Sequence, residues 1–315
     1  MLQVVAVDLG GTNIRAALFP TDDPHPQSQI KMETWPQEGP EAVIGRIVEA
    51  VERLAPRERR EWRIGFAAPG PLDPYRGVIL DAPNLPGWDS LPLTERLASH
   101  FNCPVFLGND ANLAALGEWR HGAGHGRSHV VYLTISTGIG GGVIIDGRLL
   151  LGTRGLAAEL GHLLVDPAGP RCSCGQYGHL EAIASGTAIA REAARRLQSG
   201  QRSALSRLGA GSRPISAADV GQAALEGDEM AISVITAAGY AVGRHLASLA
   251  HAFNPEIFIL GGGVTQLGEL FLSAVRRGLA ENVMHPSYLE GLSVVPAALG
   301  DDAGLIGAMV LARES

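Results

Sequence analysis

Between Glu159 and Glu181 the chain gathers Glu159, Gly161, His162, Cys172, Cys174, Gly175, Gly178, His179 and Glu181. Cys172 and Cys174 with His162 and His179 make a Cys₂His₂ set, which suits tetrahedral zinc with soft and borderline ligands. The chain has three cysteines, and two of them are here. A Cys-x-Cys pair alone could be part of a glycine-rich turn with solvated histidines nearby. Four ligands converging between tight-turn glycines favour zinc. Glu159 and Glu181 flank the set, so a metal there would also hold two carboxylates at a polar site.

A second kind of chemistry is offered by glycine turns. Val4 to Asp8 reads as a strand, Gly10 and Gly11 as a tight turn, and Ile14 to Phe19 as a returning strand, with Asp8, Thr12 and Asn13 at the tip. The layout recurs: His129 to Ile135 reads as a strand, Thr137 to Gly142 as a glycine turn and Val143 to Asp146 as a strand. A third turn, Gly261 to Gly263, follows the strand Ile257 to Leu260 and precedes an amphipathic helix beginning near Leu267. Glycine lets backbone N–H groups converge on an anion, so each turn could cradle phosphates; each could also be a plain hairpin. A dinucleotide fingerprint is excluded, because Val143 stands where the third glycine belongs and a strand follows in place of a helix.

Gly108, Asn109, Asp110, Ala111 and Asn112 follow the strand Val105 to Leu107 and precede the helical pattern Leu113, Leu116, Trp119. Asp110 is most simply a helix N-cap. A strand end is also where open α/β sheets present ligand-binding groups, and Asn109 with Asp110 could bind adjacent hydroxyls.

The elements that position these groups must come from an α/β chain. At 315 residues and 46% hydrophobic, a large core divided into two lobes is expected. A balance of 25 basic to 32 acidic residues, net charge -7, argues against a general nucleic-acid or anionic-membrane surface and fits small polar substrates. Three cysteines do not form a disulfide framework, which points to a reducing, cytoplasmic setting. The apolar opening from Leu2 to Val7 is cut by Asp8 and lacks a basic leader, so it reads as a buried strand. No run reaches the roughly 20 apolar residues of a membrane span. Lys31 is the only lysine and lies in a polar stretch, which excludes a Walker A loop, a protein-kinase lysine and a Schiff base.

Taken together, Asp8 to Thr12, Asn109 with Asp110, the turn at Thr137, Glu159 to His162, the cysteine loop and the Gly261 turn occur in an order that resembles the ROK family of bacterial sugar kinases and sugar-responsive repressors. The resemblance covers nearly the whole chain. It implies the α/β, actin-like, hexokinase-type (ribonuclease H-like) fold, with two lobes and an active-site cleft between them. The lobes are expected at 1–110, rejoined by a C-terminal helix at 302–315, and at 111–301, with the zinc loop at 162–179. The resemblance assigns Asp110 as general base, with Asn109, Glu159, His162 and Glu181 on the other sugar hydroxyls. Gly10, Gly11, Thr12 and Asn13, and Thr137 with Gly138, would embrace the ATP phosphates, with Asp8 near Mg2+, while Gly261, Gly262, Gly263 and Val264 would lie by the adenosine. The histidine at position 162 is expected to bind Zn2+ through one ring nitrogen and sugar through the other, making the metal a structural mount.

One departure stands out: His179 occupies the place of the family's third cysteine, turning Cys₃His into Cys₂His₂ and lowering the ligand charge by one. The stretches Pro69 to Asp73, with Gly70, and Ala82 to Trp88, with Asn84, resemble those of family glucokinases and are expected at the sugar. Glucose is the first expectation, then mannose or another hexose such as fructose, then N-acetylmannosamine or N-acetylglucosamine. ATP is the expected donor, since no basic track suits polyphosphate. A sugar-sensing repressor would carry a helix-turn-helix domain ahead of the first lobe, whereas this chain reaches its phosphate hairpin by Asp8. The long region Asp228 to Phe253 reads as helix, and Ser199 to Pro214 as a connecting loop. Arg195, Arg196, Arg202, Arg207 and Arg213 read as a solvated face. A homodimer or homotetramer is implied by the family.

Overall fold

Alternation of buried side chains explains why the first strands form a two-faced sheet. In the computed structural model, which describes residues 2–55, 61–82, 84–206 and 213–315, strand β1 (Gln3–Leu9) sends Val5, Val7 and Leu9 into one apolar cluster and Val4 and Ala6 into another. The contacts divide the chain into two compact units: residues 1–127, 142–158 and 298–315, and residues 128–141 and 159–297.

In the first unit β1 pairs antiparallel with β2 (Asn13–Phe19), and β2 with β3 (Ser28–Glu33). On the other side β1 runs parallel to β4 (Trp62–Ala68), and β4 to β7 (Val105–Asn109). The strand order is β3-β2-β1-β4-β7. A small hairpin of β5 (Leu72–Asp73) and β6 (Val78–Ile79) follows β4. Helix α1 (Pro40–Leu54) and α2 (Leu93–Phe101) cover the face bearing Val5 and Val7. The opposite face is covered by α3 (Asp110–His121) and the last helix, which spans Ala303–Glu314.

That last pair crosses closely. A Cβ built on Gly307 would fall 1.7 Å from the Leu113 carbonyl oxygen, and one on Gly117 would fall 2.5 Å from that of Ala303. The boundary expected near residue 110 therefore falls after Arg127 instead. Helix α3 is bound to the first unit by its packing on the C-terminal helix and by buried Glu118, which accepts backbone N–H bonds from Ala123 (2.9 Å), Ala298 (3.1 Å) and Leu299 (2.7 Å).

The second unit is built on β8 (Val130–Ile135), β11 (Ile257–Gly261) and β12 (Ser293–Pro296), all parallel. Strand β9 spans Ile139–Ile145: its first residues belong to this unit, and it continues into the first, where it turns back as β10 (Arg148–Leu149). The turn expected over Thr137 to Gly142 is thus shorter, with Gly140, Gly141 and Gly142 inside β9. Close packing is the reason: a Cβ on Gly141 would meet Leu160 at 2.7 Å and the Tyr132 carbonyl at 3.0 Å.

Among the described residues the helices of this unit include α4 (Leu180–Ala184), α5 (Gly186–Gln198), α6 (Ala217–Leu225), α7 (Glu229–Phe253) and α8 (Glu269–Asn282); the C-terminal helix of the first unit is labelled α9. Asp228 caps α7 by accepting the Ala231 N–H, as its position before the apolar pattern suggests. A 3-10 turn, Gly263–Leu267, precedes α8, so the helix expected near Leu267 starts at Glu269. Of the expected arginine face, Arg195 and Arg196 fork onto Glu192 and Arg213 onto Asp219, while Arg207 lies outside the described residues. Among the described residues no helix is long and apolar enough to cross a membrane.

Candidate active site

Three parallel strands of the first unit end together. The register sets Asp8 beside Ala67, and Ala68 beside Asn109, so Asp8, the Pro69–Pro71 corner and Asn109 share the carboxyl edge of the sheet. Gly10 donates its N–H to the Asn13 carbonyl (2.9 Å), closing the hairpin turn of Gly10, Gly11 and Thr12. A buried residue that the sequence did not mark holds this turn from behind: Thr34 donates its hydroxyl to the Gly10 carbonyl (2.7 Å) and its N–H to that of Thr12 (2.8 Å). It lies 22 positions after Thr12, and no motif links the two. Asn84 packs its Cβ where a Cβ on Gly11 would come within 3.2 Å.

Asp8 does not stand alone. Arg15, its antiparallel partner in the β1–β2 ladder, donates to its carboxylate at 2.6 Å and also reaches Asp302 (3.2 Å) and the Asp301 carbonyl. Counting outward from the turn pairs positions 8 and 15, so this contact was available from the hairpin length alone.

The start of α3 corrects the simplest reading of Asp110. The N-cap is Asn109, whose side-chain oxygen accepts from the N–H groups of Ala111 (3.0 Å) and Asn112 (3.1 Å). Asp110 is the first helical residue, exposed, with one carboxylate oxygen on the Ala111 N–H at 2.7 Å. Asn109 takes the capping duty because its backbone is extended while Asp110 is already helical. With its oxygen committed, Asn109 has its amide NH₂ left to donate, and Gly70 leaves room for it: a Cβ there would sit 3.0 Å from the amide nitrogen.

In the second unit Glu159 and His162 bracket a single 3-10 turn, Leu160–His162, and the cysteine loop folds against it. Gly178 has φ 73°, and a Cβ there would lie 1.7 Å from the Asp166 carbonyl, so only glycine allows the loop to close. The ligand atoms of His162, Cys172, Cys174 and His179 all lie within 4.8 Å of one another. Cys172 Sγ is 3.5 Å from His162 Nδ1, and Cys174 Sγ is 3.3 Å from His179 Nδ1. Zn–S bonds of about 2.3 Å and Zn–N bonds of about 2.05 Å at tetrahedral angles give an edge of about 3.5 Å, so the set fits zinc. Burial pushes the Cys172 thiol pKa up, and a nearby cation is what would favour its thiolate. His162 presents Nδ1 to the cluster, which leaves Nε2 for another ligand.

Glu181 ties the metal loop to the glycine turn. One of its oxygens accepts from the Ser173 hydroxyl (2.6 Å) and the other from the Ile139 N–H (3.1 Å). Glu159 keeps an exposed surface, yet the protein crowding its carboxyl raises its pKa by desolvation; His162 opposes this and Glu181 adds to it.

A cavity of about 510 Å³ opens in the same unit, lined by Thr137, Thr187, Ser216, Gly221, Gly263 and Val264 among others. Its size lies within the about 300–1,000 Å³ of small-molecule sites. The turn at Thr137 is pinned by Gly186 N–H on the Ser136 carbonyl (2.7 Å) and by the Thr187 hydroxyl on the Thr137 carbonyl (2.8 Å). Gly262 has φ 87°, and a Cβ there would strike the Ile135 carbonyl at 2.3 Å. The cavity thus unites Thr137 with Gly263 and Val264, while Gly138 lies beneath Glu181, 2.6 Å from its oxygen by the same measure. Thr187 and Ser216 gave no signal in sequence, since neither belongs to a glycine turn.

The ROK family model matches residues 4–315. The glucokinase of Thermotoga maritima is 38% identical over 313 residues, covering 99% of this chain and 98% of its own. A ROK hexokinase from Thermus thermophilus matches in structure with a TM-score of 0.81 and 41% identity, over 99% of this chain and 98% of its own. A ROK family glucokinase from Streptomyces griseus, solved in complex with glucose and AMPPNP, matches with a TM-score of 0.84 and 36% identity, over 99% of this chain and all of its own. The expected α/β, hexokinase-type fold is the fold of these proteins. On a match that runs from the first strand to the last residue, the chain belongs to the ROK family.

Proposed function

We propose that this protein transfers the γ-phosphoryl group of ATP to a hexose hydroxyl, converting glucose to glucose 6-phosphate. The observation that carries the reading is Asp110: an exposed carboxylate at the carboxyl edge of the parallel strands, with the capping duty taken by Asn109. Likeness to a glucokinase crystallised with glucose and AMPPNP, at 36% identity over nearly the whole chain, supports the same conclusion.

Phosphoryl transfer needs little covalent help from the protein, so rate comes from positioning the acceptor oxygen in line and from neutralising phosphate charge. Asp110 accepts the proton of the attacking hydroxyl, a contribution typically of about 10² to 10⁴ in rate. Asn109 donates its amide NH₂ to a neighbouring hydroxyl; Glu159, His162 Nε2 and Glu181 are assigned to the remaining ones, and Gly70 and Asn84 to the sugar's surroundings. The 510 Å³ cavity suits the nucleoside, with Gly263 and Val264 at its wall, Gly261 and Gly262 assigned beside them, and Thr137, Gly138 and the Gly10 to Asn13 turn assigned to phosphates. Asp8, oriented by Arg15, would hold Mg2+, and the Cys₂His₂ cluster would hold Zn2+; magnesium supplies charge neutralisation on the phosphates, and zinc a rigid mount for His162.

The test is ADP release with ATP and magnesium across glucose, mannose, fructose, N-acetylglucosamine and N-acetylmannosamine, beside Asp110→Asn. The expected result is glucose-dependent ADP formation that falls by about 10² to 10⁴ in the variant with glucose binding retained. ADP release indifferent to sugar, or a variant with near-normal turnover, overturns the reading.

A further inference from the structure

Glu181 is assigned to the sugar, yet both of its oxygens are already engaged by the protein. Oε2 accepts the Ile139 N–H at 3.1 Å and lies where a Cβ on Gly138 would come within 2.6 Å, so this end is seated against the glycine turn. Oε1 meets the metal loop, where the Ser173 hydroxyl donates to it at 2.6 Å and Cys172 Sγ lies at 3.6 Å.

A tight turn brings Ser173 to that oxygen. Gly175 N–H bonds the Cys172 carbonyl (3.0 Å), which sets Ser173 at the first corner of a four-residue turn, between two cysteines of the metal cluster. Cys172 N–H bonds the Gln176 carbonyl (2.7 Å), and Gly175 ends the turn at φ 93°, a conformation that favours glycine. Cys172 and Ser173 are not equivalent donors. A cysteine that holds zinc does so as the thiolate and has no proton to give, so with the metal bound Cys172 would set a second negative charge beside Oε1. Ser173 keeps its O–H in either state. Its oxygen borders both groups, 3.8 Å from Cys172 Sγ and 2.6 Å from Oε1, and the shorter distance is that of a hydroxyl bonded to a charged carboxylate.

We infer that Ser173 is a positioning residue for sugar binding: its hydroxyl fixes the angle of the Glu181 carboxylate, and so the lone pairs that Glu181 turns toward the sugar. A carboxylate has about four acceptor directions, and Ser173 and Ile139 take two of them. The two that remain are aimed only as long as both ends are held. Without the Ser173 hydroxyl, the Ile139 N–H is left as a single anchor about which the carboxylate can rotate. This inference rests on the reading of the chain as a hexose kinase.

The experiment compares wild type with Ser173→Ala, which removes the hydroxyl, and Ser173→Thr, which keeps it. Ser173 is exposed, so neither change opens a cavity in the core. Affinity for glucose and for its 1-, 2-, 3- and 4-deoxy analogues is measured by titration calorimetry, with KM for ATP and zinc content beside it. Expected is a loss of about five- to tenfold in glucose affinity for Ala, equivalent to one net hydrogen bond, with Thr within about threefold of wild type and zinc content and ATP KM unchanged in both. The loss in Ala should collapse for the analogue that lacks the hydroxyl Glu181 accepts, and persist for the others. A loss equal across all the analogues, zinc released from Ala, Thr as weak as Ala, or unchanged glucose affinity in Ala overturns the inference. Wild-type protein that neither binds nor phosphorylates any hexose instead removes the kinase reading, and this inference with it.

Discussion

Protonation of His245 should act as an acid switch on stability, and its size follows from the structure. Burial pushes its pKa from 6.5 down to about 4. The ring is buried and its Nε2 has no partner, so an imidazolium there would carry an unpaired N–H in the core. The unfolded chain takes that proton near pH 6.5, while the folded protein resists it until about pH 4, so between these values the unfolded state binds more protons and stability rises with pH. Relative to pH 7, the wild type therefore loses about 2 kcal/mol by pH 5 and about 3 kcal/mol by pH 4 from this group alone. His245→Leu lacks the titrating ring and should show none of that loss, so comparing the two proteins cancels every other titrating group. The assay is denaturant unfolding of both at pH 7, 6, 5 and 4, following the transition of the second unit. Stabilities that run parallel from pH 7 to 4 would refute the reasoning, because they would mean that the ring is protonated as easily inside as outside.

Three other outcomes are expected. Gly307→Ala drives a methyl group into the Leu113 carbonyl at the α3–α9 crossing and should destabilise by about 1–3 kcal/mol, read as a lower denaturation midpoint with unchanged slope. His179→Cys restores a third thiolate to the metal cluster, so zinc should survive a chelator challenge longer than in wild type; an equal release rate on elemental analysis would mean that His179 is not a ligand. Asn109→Asp keeps an N-cap acceptor and should leave stability within about 0.5 kcal/mol, whereas Asn109→Ala should lose about 1 kcal/mol. Both variants remove the amide donor, so glucose affinity should fall in each; a normal affinity in the aspartate variant would release Asn109 from its assigned role.

The local chemistry was legible in sequence because it is carried by residue type and short spacing. Strands, the first glycine hairpin, the Cys₂His₂ ligands and the long helix each depend on neighbours a few positions apart, where backbone sterics and hydrogen bonding speak directly. Even there the margin was one residue: the cap of α3 belongs to Asn109, because the backbone becomes helical at Asp110, and side-chain types alone do not set that angle. The second glycine stretch misled for a related reason. Gly140 to Gly142 signal a turn by composition, but Gly141 is small because Leu160 and Tyr132 press on it inside a strand.

What only the tertiary structure decided are the long-range supports. Thr34 behind the first turn, Glu118 across to Ala298 and Leu299, and Glu181 joining Ser173 to Ile139 connect positions 8 to 181 residues apart. A buried polar group must find its partner wherever the packing brings one, and sequence distance does not limit that search. Sequence by itself therefore determined the family and the chemistry each motif could perform, since those are properties of side chains and local backbone. Which backbone N–H a buried carboxylate holds, and which glycine makes room for a neighbour, are properties of space that exist only once the chain is packed.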